Sequence, residues 1–180
     1  MTVLFSVGHG NRTSTELLQL LQQAGIQCLA DVRAYPASRR HPQFARAALE
    51  RLLAETGIRY QWEGRALGGR RKPRNDSPHT ALRNANFRAY ADHMLTAEFQ
   101  QALDRLLALA SGERIAIMCA ERLPWQCHRY LIADSAVARG VEVMHLVEPG
   151  KRQEHRLNSA ARVEGCKLFY DRNEQFEFAV

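Results

Sequence analysis

RIAIMCAERLPWQCHRYLIADSAVARGVEVMHL, residues 114–146, decides the fold class in one stretch. RIAIMC (114–119) is a short apolar run with the length of a buried strand. Cys127–Arg139 carries helical spacing and stops at Gly140, a residue suited to the left-handed turn that ends helices. VEVMHL (141–146) is strand-like again. A strand, a helix and a strand in that order make a βαβ unit, whose two strands run parallel across a right-handed connection.

The same alternation extends towards the N-terminus. VLFSVG (3–8), IQCLADV (26–32) and IRYQW (58–62) are further strand candidates. Thr13-Ser14-Thr15-Glu16 offers helix-capping residues, and Leu17, Leu18, Leu20 and Leu21 supply an apolar helical face ending near Gly25. Ala45–Thr56 repeats the pattern with Leu49, Leu52 and Leu53 and a terminal Gly57, and residues 86–110 hold one or two more helices. The expectation is an α/β fold: a single compact domain with a mainly parallel five-stranded sheet, flanked by helices on both faces. Residues 1–147 would form its core. Residues 148–180 would form a packed C-terminal extension, with a helix at 154–163 and a short strand near KLFYD (167–171). No internal repeat and no low-complexity stretch interrupts this reading.

Composition narrows the class. The 180 residues are 46% hydrophobic and 24% charged, with a net charge of +6 and a pI near 9.5. The apolar runs fall far short of the roughly 20 residues that span a bilayer, and the N-terminus lacks a signal-peptide pattern. A cytoplasmic protein without membrane contact is expected. Four scattered cysteines, Cys28, Cys119, Cys127 and Cys166, are too few for a disulfide framework, so reduced thiols are the default. The positive balance favours phosphate-bearing small molecules or nucleic acid as partners.

Chemistry-bearing residues collect after the strands. His9-Gly10-Asn11-Arg12 follows the first, and Asp31 and Arg33 end the second, before Ser38, Arg39 and Arg40. Residues 63–86 form a long connection with Gly68-Gly69 near its start and Arg65, Arg70, Arg71, Lys72, Arg74 and Arg83 within it. Its length and charge fit either a basic flap over an anion or a solvated loop. The topology places all strand C-termini on one edge, where open α/β sheets bind ligands.

The segment from Cys119 to Arg129 is the sharpest signal. Cys119 ends a strand, and Cys127 lies at a helix start, where the dipole and nearby arginines favour a thiolate. Glu121 offers an acid or base, and Arg122 and Arg129 a clamp for phosphate or carboxylate. Cysteine phosphatases carry an arginine six positions after the cysteine. Here those positions hold Trp125 and Ala133, so that loop is absent. Cys119, Cys127 and His128 also offer three metal ligands, with His9 or His145 as a fourth, but their spacing is irregular for a structural zinc site. Tyr60, Trp62, Phe87, Tyr90 and Trp125 serve either to stack on a base or to fill the core.

GHGNRT (8–13), DVRAYPASRR (31–40), LGGRR (67–71), NFRAYADHM (86–94) and MCAERLPWQCHR (118–129), in this order, resemble the bacterial family termed domain of unknown function 488. The resemblance runs from about residue 5 to 147, and on through HRL at 155–157. It implies a compact cytosolic α/β domain whose activity is not established. As motif positions it implicates His9, Arg12, Asp31, Arg33, Pro36, Ser38, Arg39, Gly68, Gly69, Phe87, Arg88, Tyr90, Cys119, Glu121, Pro124, Cys127, His128 and Arg129. The family often reads Gly-His-Ser in its first motif. Gly10 stands in the serine's place here, so no mechanism for this chain can require that hydroxyl.

These readings converge on an enzyme acting on a phosphate-bearing nucleotide or nucleic-acid component. Cys119 or Cys127 would be its nucleophile, Glu121 or His128 its acid/base, and Asp31 a second acid or orienting group. His9, Arg12, Arg33, Ser38, Arg39, Gly68, Gly69, Arg70 and Arg129 would hold the anion. The rivals are a non-catalytic nucleic-acid-binding protein that uses the flap, and a metal-binding protein. No residue pattern names a cofactor, a metal requirement or an oligomeric state.

Overall fold

A computed structural model describes residues 2–172. Five parallel strands form where apolar runs were expected: β1 (Val3–Gly8), β2 (Cys28–Asp31), β3 (Arg59–Trp62), β4 (Ile115–Cys119) and β5 (Glu142–Glu148). A sixth strand, β6 (Lys151–Glu154), pairs antiparallel with β5, so the sheet order is β3-β2-β4-β1-β5-β6. The five-strand expectation is therefore one short. The sequence KRQE hides β6, because all four of its residues are exposed and give no apolar alternation.

The helices are α1 (Ser14–Gln23), α2 (Arg46–Glu55), α3 (Gly64–Leu67), α4 (Ala85–Met94), α5 (Ala97–Ala110) and α6 (Arg129–Val137). Their starts follow local chemistry. Thr13 and Glu16 form a reciprocal capping box on α1. Asn84 caps α4, and Thr96 caps α5, splitting residues 86–110 into two helices. Before α6 the chain makes a 3₁₀ turn at Pro124–Gln126, so the helix starts two residues later than the spacing suggested.

Alternate residues of the parallel strands enter two apolar clusters. Leu4, Ala30, Ile115 and Ile117 pack with Tyr90, Phe99, Leu103 and Leu131 of α4, α5 and α6. Phe5, Val7, Leu29 and Met118 pack with Leu17, Leu21, Leu49 and Leu53 of α1 and α2. Period-2 alternation thus sends apolar residues of these strands to one cluster or the other. Among the described residues no helix is long and apolar enough to cross a membrane.

The expected helix at 154–163 does not form. The chain turns at Gly150 (φ +74) into β6, and the His155 N–H still donates to Val143 O at 2.8 Å. It then enters a hairpin of β7 (Ala161–Glu164) and β8 (Lys167–Tyr170). Buried Asp134 on α6 accepts hydrogen bonds from the His155 ring and the Asn158 N–H, at 2.8 and 2.9 Å. Those bonds hold the backbone away from a helical ladder; a distant carboxylate overrides local propensity. The strand near KLFYD is β8, and the remainder of the expected extension, from residue 173, lies outside the described residues.

Candidate functional site

Parallel register brings the strand ends into line. Gly8 pairs with Cys119, and Asp31 with both Trp62 and Met118. Beyond these pairs the loops zip together: the His9 N–H donates to Cys119 O at 3.1 Å and the Gly10 N–H to Ala120 O at 2.8 Å. A cleft of about 810 Å³ opens over this edge.

Nine of the expected site residues line it: His9, Arg33, Ser38, Gly69, Arg70, Cys119, Glu121, Cys127 and His128. Arg40, His41, Asn84, Asn86, Phe87, Arg122 and Tyr35 line it too. Tyr35, 70% exposed, has the Arg70 guanidinium 5.5 Å from its ring centre. Sequence reading passed over Tyr35, Asn84 and Asn86. Tyr35 sits between Arg33 and Ser38 in a motif already singled out, but nothing in its spacing separates it from a core aromatic.

Four other expected residues stand behind the wall, and a fifth, Arg39, lies outside the cleft. Asp31 is fully buried and grips Arg33 through two bonds, Nε to Oδ1 at 2.9 Å and Nη2 to Oδ2 at 2.6 Å. Tyr60 donates to Asp31 at 2.7 Å. Arg33 therefore reaches the cleft as a fixed, oriented guanidinium. Arg12 is buried on the carbonyls of Gly8 and Val147, with Glu148 3.9 Å away. Arg129, 1% exposed, donates to Ser6 Oγ at 2.8 Å and Glu121 O at 2.6 Å, and so stakes the loop after Cys119 to β1. Gly68 is buried, and Arg39 is exposed away from the cleft, where Arg40 takes the lining position. Within the flap, Arg71 donates to the carbonyls of Gly68 and Arg65.

At the floor lie Cys119, Cys127 and His128, their ligand atoms within 4.8 Å of one another. The His128 Nε2–H donates to Val32 O at 3.0 Å, which leaves the Nδ1 lone pair towards Cys119 Sγ at 3.8 Å. The Cys127 thiol lowers the Cys119 pKa to about 7, aided by Arg129 and by the N–H groups of Glu121 and Ala120, against the effect of burial. Burial pushes Cys127 well up, so it stays a thiol that donates to Cys119. The thiol whose pKa is lowered is thus the one at the strand end, and the one before the helix is raised. His9 is held neutral by burial, its pKa down to about 4. Its ring stacks on Phe44 with centroids 4.5 Å apart, and Nε2 faces Arg33 Nη1 at 3.3 Å.

Gly69 permits this packing. A Cβ there would lie 2.5 Å from His128 Nδ1. Neither His9 nor His145 joins the cysteine cluster; among the described residues it holds three candidate ligands. His145 instead faces His155, and both border a separate hollow of about 450 Å³ with Trp125 and Tyr130. Of the other aromatics weighed, Tyr90 is core, Tyr60 supports Asp31, and Phe87 lines the cleft.

No curated protein and no solved structure matches the chain. The model of one family, described as domain of unknown function DUF488, matches residues 13–136, well over half the chain and all the cleft-lining loops except the first. The chain accordingly belongs to the DUF488 family.

Proposed function

We propose that the cleft is an enzyme active site in which Cys119 attacks a phosphate-bearing substrate, a nucleotide or a nucleic-acid component. The observation that carries this reading is the Cys119 sulfur itself. It lies at the floor of a polar cleft, within reach of His128, with three donors that favour its thiolate near neutral pH. Arg33, Arg40, Arg70 and Arg122 line the same cleft, against Glu121 as its carboxylate. That excess of cations suits an anionic substrate. Exposed Tyr35 beside Arg70 offers a stacking surface for a base.

In this reading Cys119 attacks as the thiolate that its three donors favour, with the His128 ring, its pKa lowered by burial, beside it. A bond forms from sulfur to the electrophilic atom, and the bond to the leaving group breaks. The leaving group departs with the electron pair and takes a proton from water. Arg33, fixed by Asp31, binds the substrate anion. Glu121, exposed at the mouth, is the second titratable group within reach of the leaving group.

Iodoacetamide labelling against pH tests this. Cys119 should react with a midpoint near pH 7, and saturating mononucleotide should protect it. Midpoints near 8.5, the ordinary thiol range, would reject the thiolate. Affinity for long DNA or RNA without any for mononucleotides would favour the rival, a non-catalytic nucleic-acid binder with steep salt dependence.

A second reading, a metal held by Cys119, Cys127 and His128, draws on their ligand atoms lying within 4.8 Å. An open fourth position would suit a catalytic zinc. The donor set fits it less well, because the arginines that line the cleft put like charge beside a cation. Stoichiometric metal in elemental analysis of the fresh protein would select it.

A further inference from the structure

The reactive thiol has a second thiol beside it for which the mechanism above finds no chemical step. Cys119 and Cys127 are both free, both line the cleft, and their sulfurs lie within 4.8 Å. Each is nearly closed off, at 6% and 7% exposure, so the cleft admits a small oxidant far more readily than another protein's cysteine. The other two cysteines are placed differently: Cys28 is buried in β2, and exposed Cys166 lies in the turn of the β7–β8 hairpin. The intervening Ala120–Gln126 is bends and a single 3₁₀ turn, without a helix or strand to be broken by a small approach of the sulfurs. That approach must reach about 2.05 Å.

We propose that Cys119 and Cys127 form a reversible intramolecular disulfide on exposure to hydrogen peroxide, with Cys119 oxidised first and Cys127 resolving it. The inference rests on the reading of Cys119 as nucleophile. The Cys119 thiolate attacks one peroxide oxygen; an S–O bond forms, the O–O bond breaks, and hydroxide leaves and is protonated to water. Cys127 sulfur then attacks the sulfenic sulfur. The S–S bond forms, the S–O bond breaks, and the departing oxygen leaves as water with the Cys127 proton. Peroxide is reduced by two electrons and the two cysteines are oxidised by two. The disulfide takes the nucleophile out of action and shields it from the irreversible sulfinic state.

The test treats the reduced full-length chain with stoichiometric hydrogen peroxide and reads intact mass and a non-reducing peptide map. The expected product has lost two hydrogens, is cross-linked between residues 119 and 127, and returns to the starting mass with dithiothreitol. Cys127→Ser should instead yield a Cys119 sulfenate trapped by dimedone, which passes to a form that dithiothreitol does not reverse. Wild-type protein that gains oxygen at Cys119 without a cross-link, or cross-links through Cys166, would overturn the proposal, whether or not the variant folds. Iodoacetamide labelling of the reduced chain separates the two failures. A midpoint near pH 7 without a disulfide sinks this inference alone, and an ordinary midpoint sinks the nucleophile reading beneath it.

Discussion

Two buried polar clusters flank helix α6, built from similar residue types. At its start lie Cys119, Cys127 and His128; along its body lie Asp134, His155, His145 and Tyr170. In both, one acceptor fixes a histidine tautomer. Val32 O takes the Nε2–H of His128, and Asp134 takes that of His155 at 2.8 Å. In the second cluster the bonds then run inward. Asp134 also accepts from Tyr170 and from the Asn158 N–H, and His155 Nδ1 accepts from His145 Nε2 at 3.0 Å. That network fastens β5, β8 and the intervening chain to α6. In the first cluster the free lone pair points at a sulfur on the floor of an 810 Å³ cleft. Residue type does not separate a closed tie from a cluster that opens on a cleft; the end of the hydrogen-bond chain does.

The comparison breaks most visibly at Cys119. Cys119→Ser should abolish turnover and the labelling that has its midpoint near pH 7, while denaturant melts stay within about 1 kcal/mol of the parent. Asp134→Ala should do the opposite. Stranding His155, Tyr170 and Asn158 should cost about 3–5 kcal/mol and leave the Cys119 midpoint where it was. A midpoint that moves with Asp134 would show that the two clusters are one unit.

Smaller changes sharpen the contrast. Gly69→Ala drives a Cβ against the His128 ring and should destabilise by about 1–3 kcal/mol, slowing Cys119 labelling several-fold. Acid supplies an increment of its own. Burial lowers His9 to about 4 and His145 to about 3 in the fold, whereas an unfolded histidine titrates near 6.5. Between those values the unfolded chain binds the extra proton, so stability falls as pH drops below about 6.5. The slope is at most about 1.4 kcal/mol per pH unit for each histidine. His9→Gln should remove one such increment, seen as a shallower fall of melting temperature between pH 6.5 and pH 4.

Local pattern alone determined the five parallel strands, the cap at Thr13, and the cleft's place at the strand ends. Apolar periodicity and capping chemistry act within a few residues, and parallel strands must end on one edge. Tertiary structure alone decided what each polar side chain faces. It turned Arg129 and Arg12 inward onto carbonyls, made Asp31 the anchor of Arg33, and brought Tyr35 to the rim. It lowered the Cys119 pKa through the buried Cys127 thiol beside it, and it replaced a helix after residue 154 with bonds to Asp134. Burial and hydrogen-bond partners are set by residues far apart in the chain, so spacing along the sequence carries no record of them.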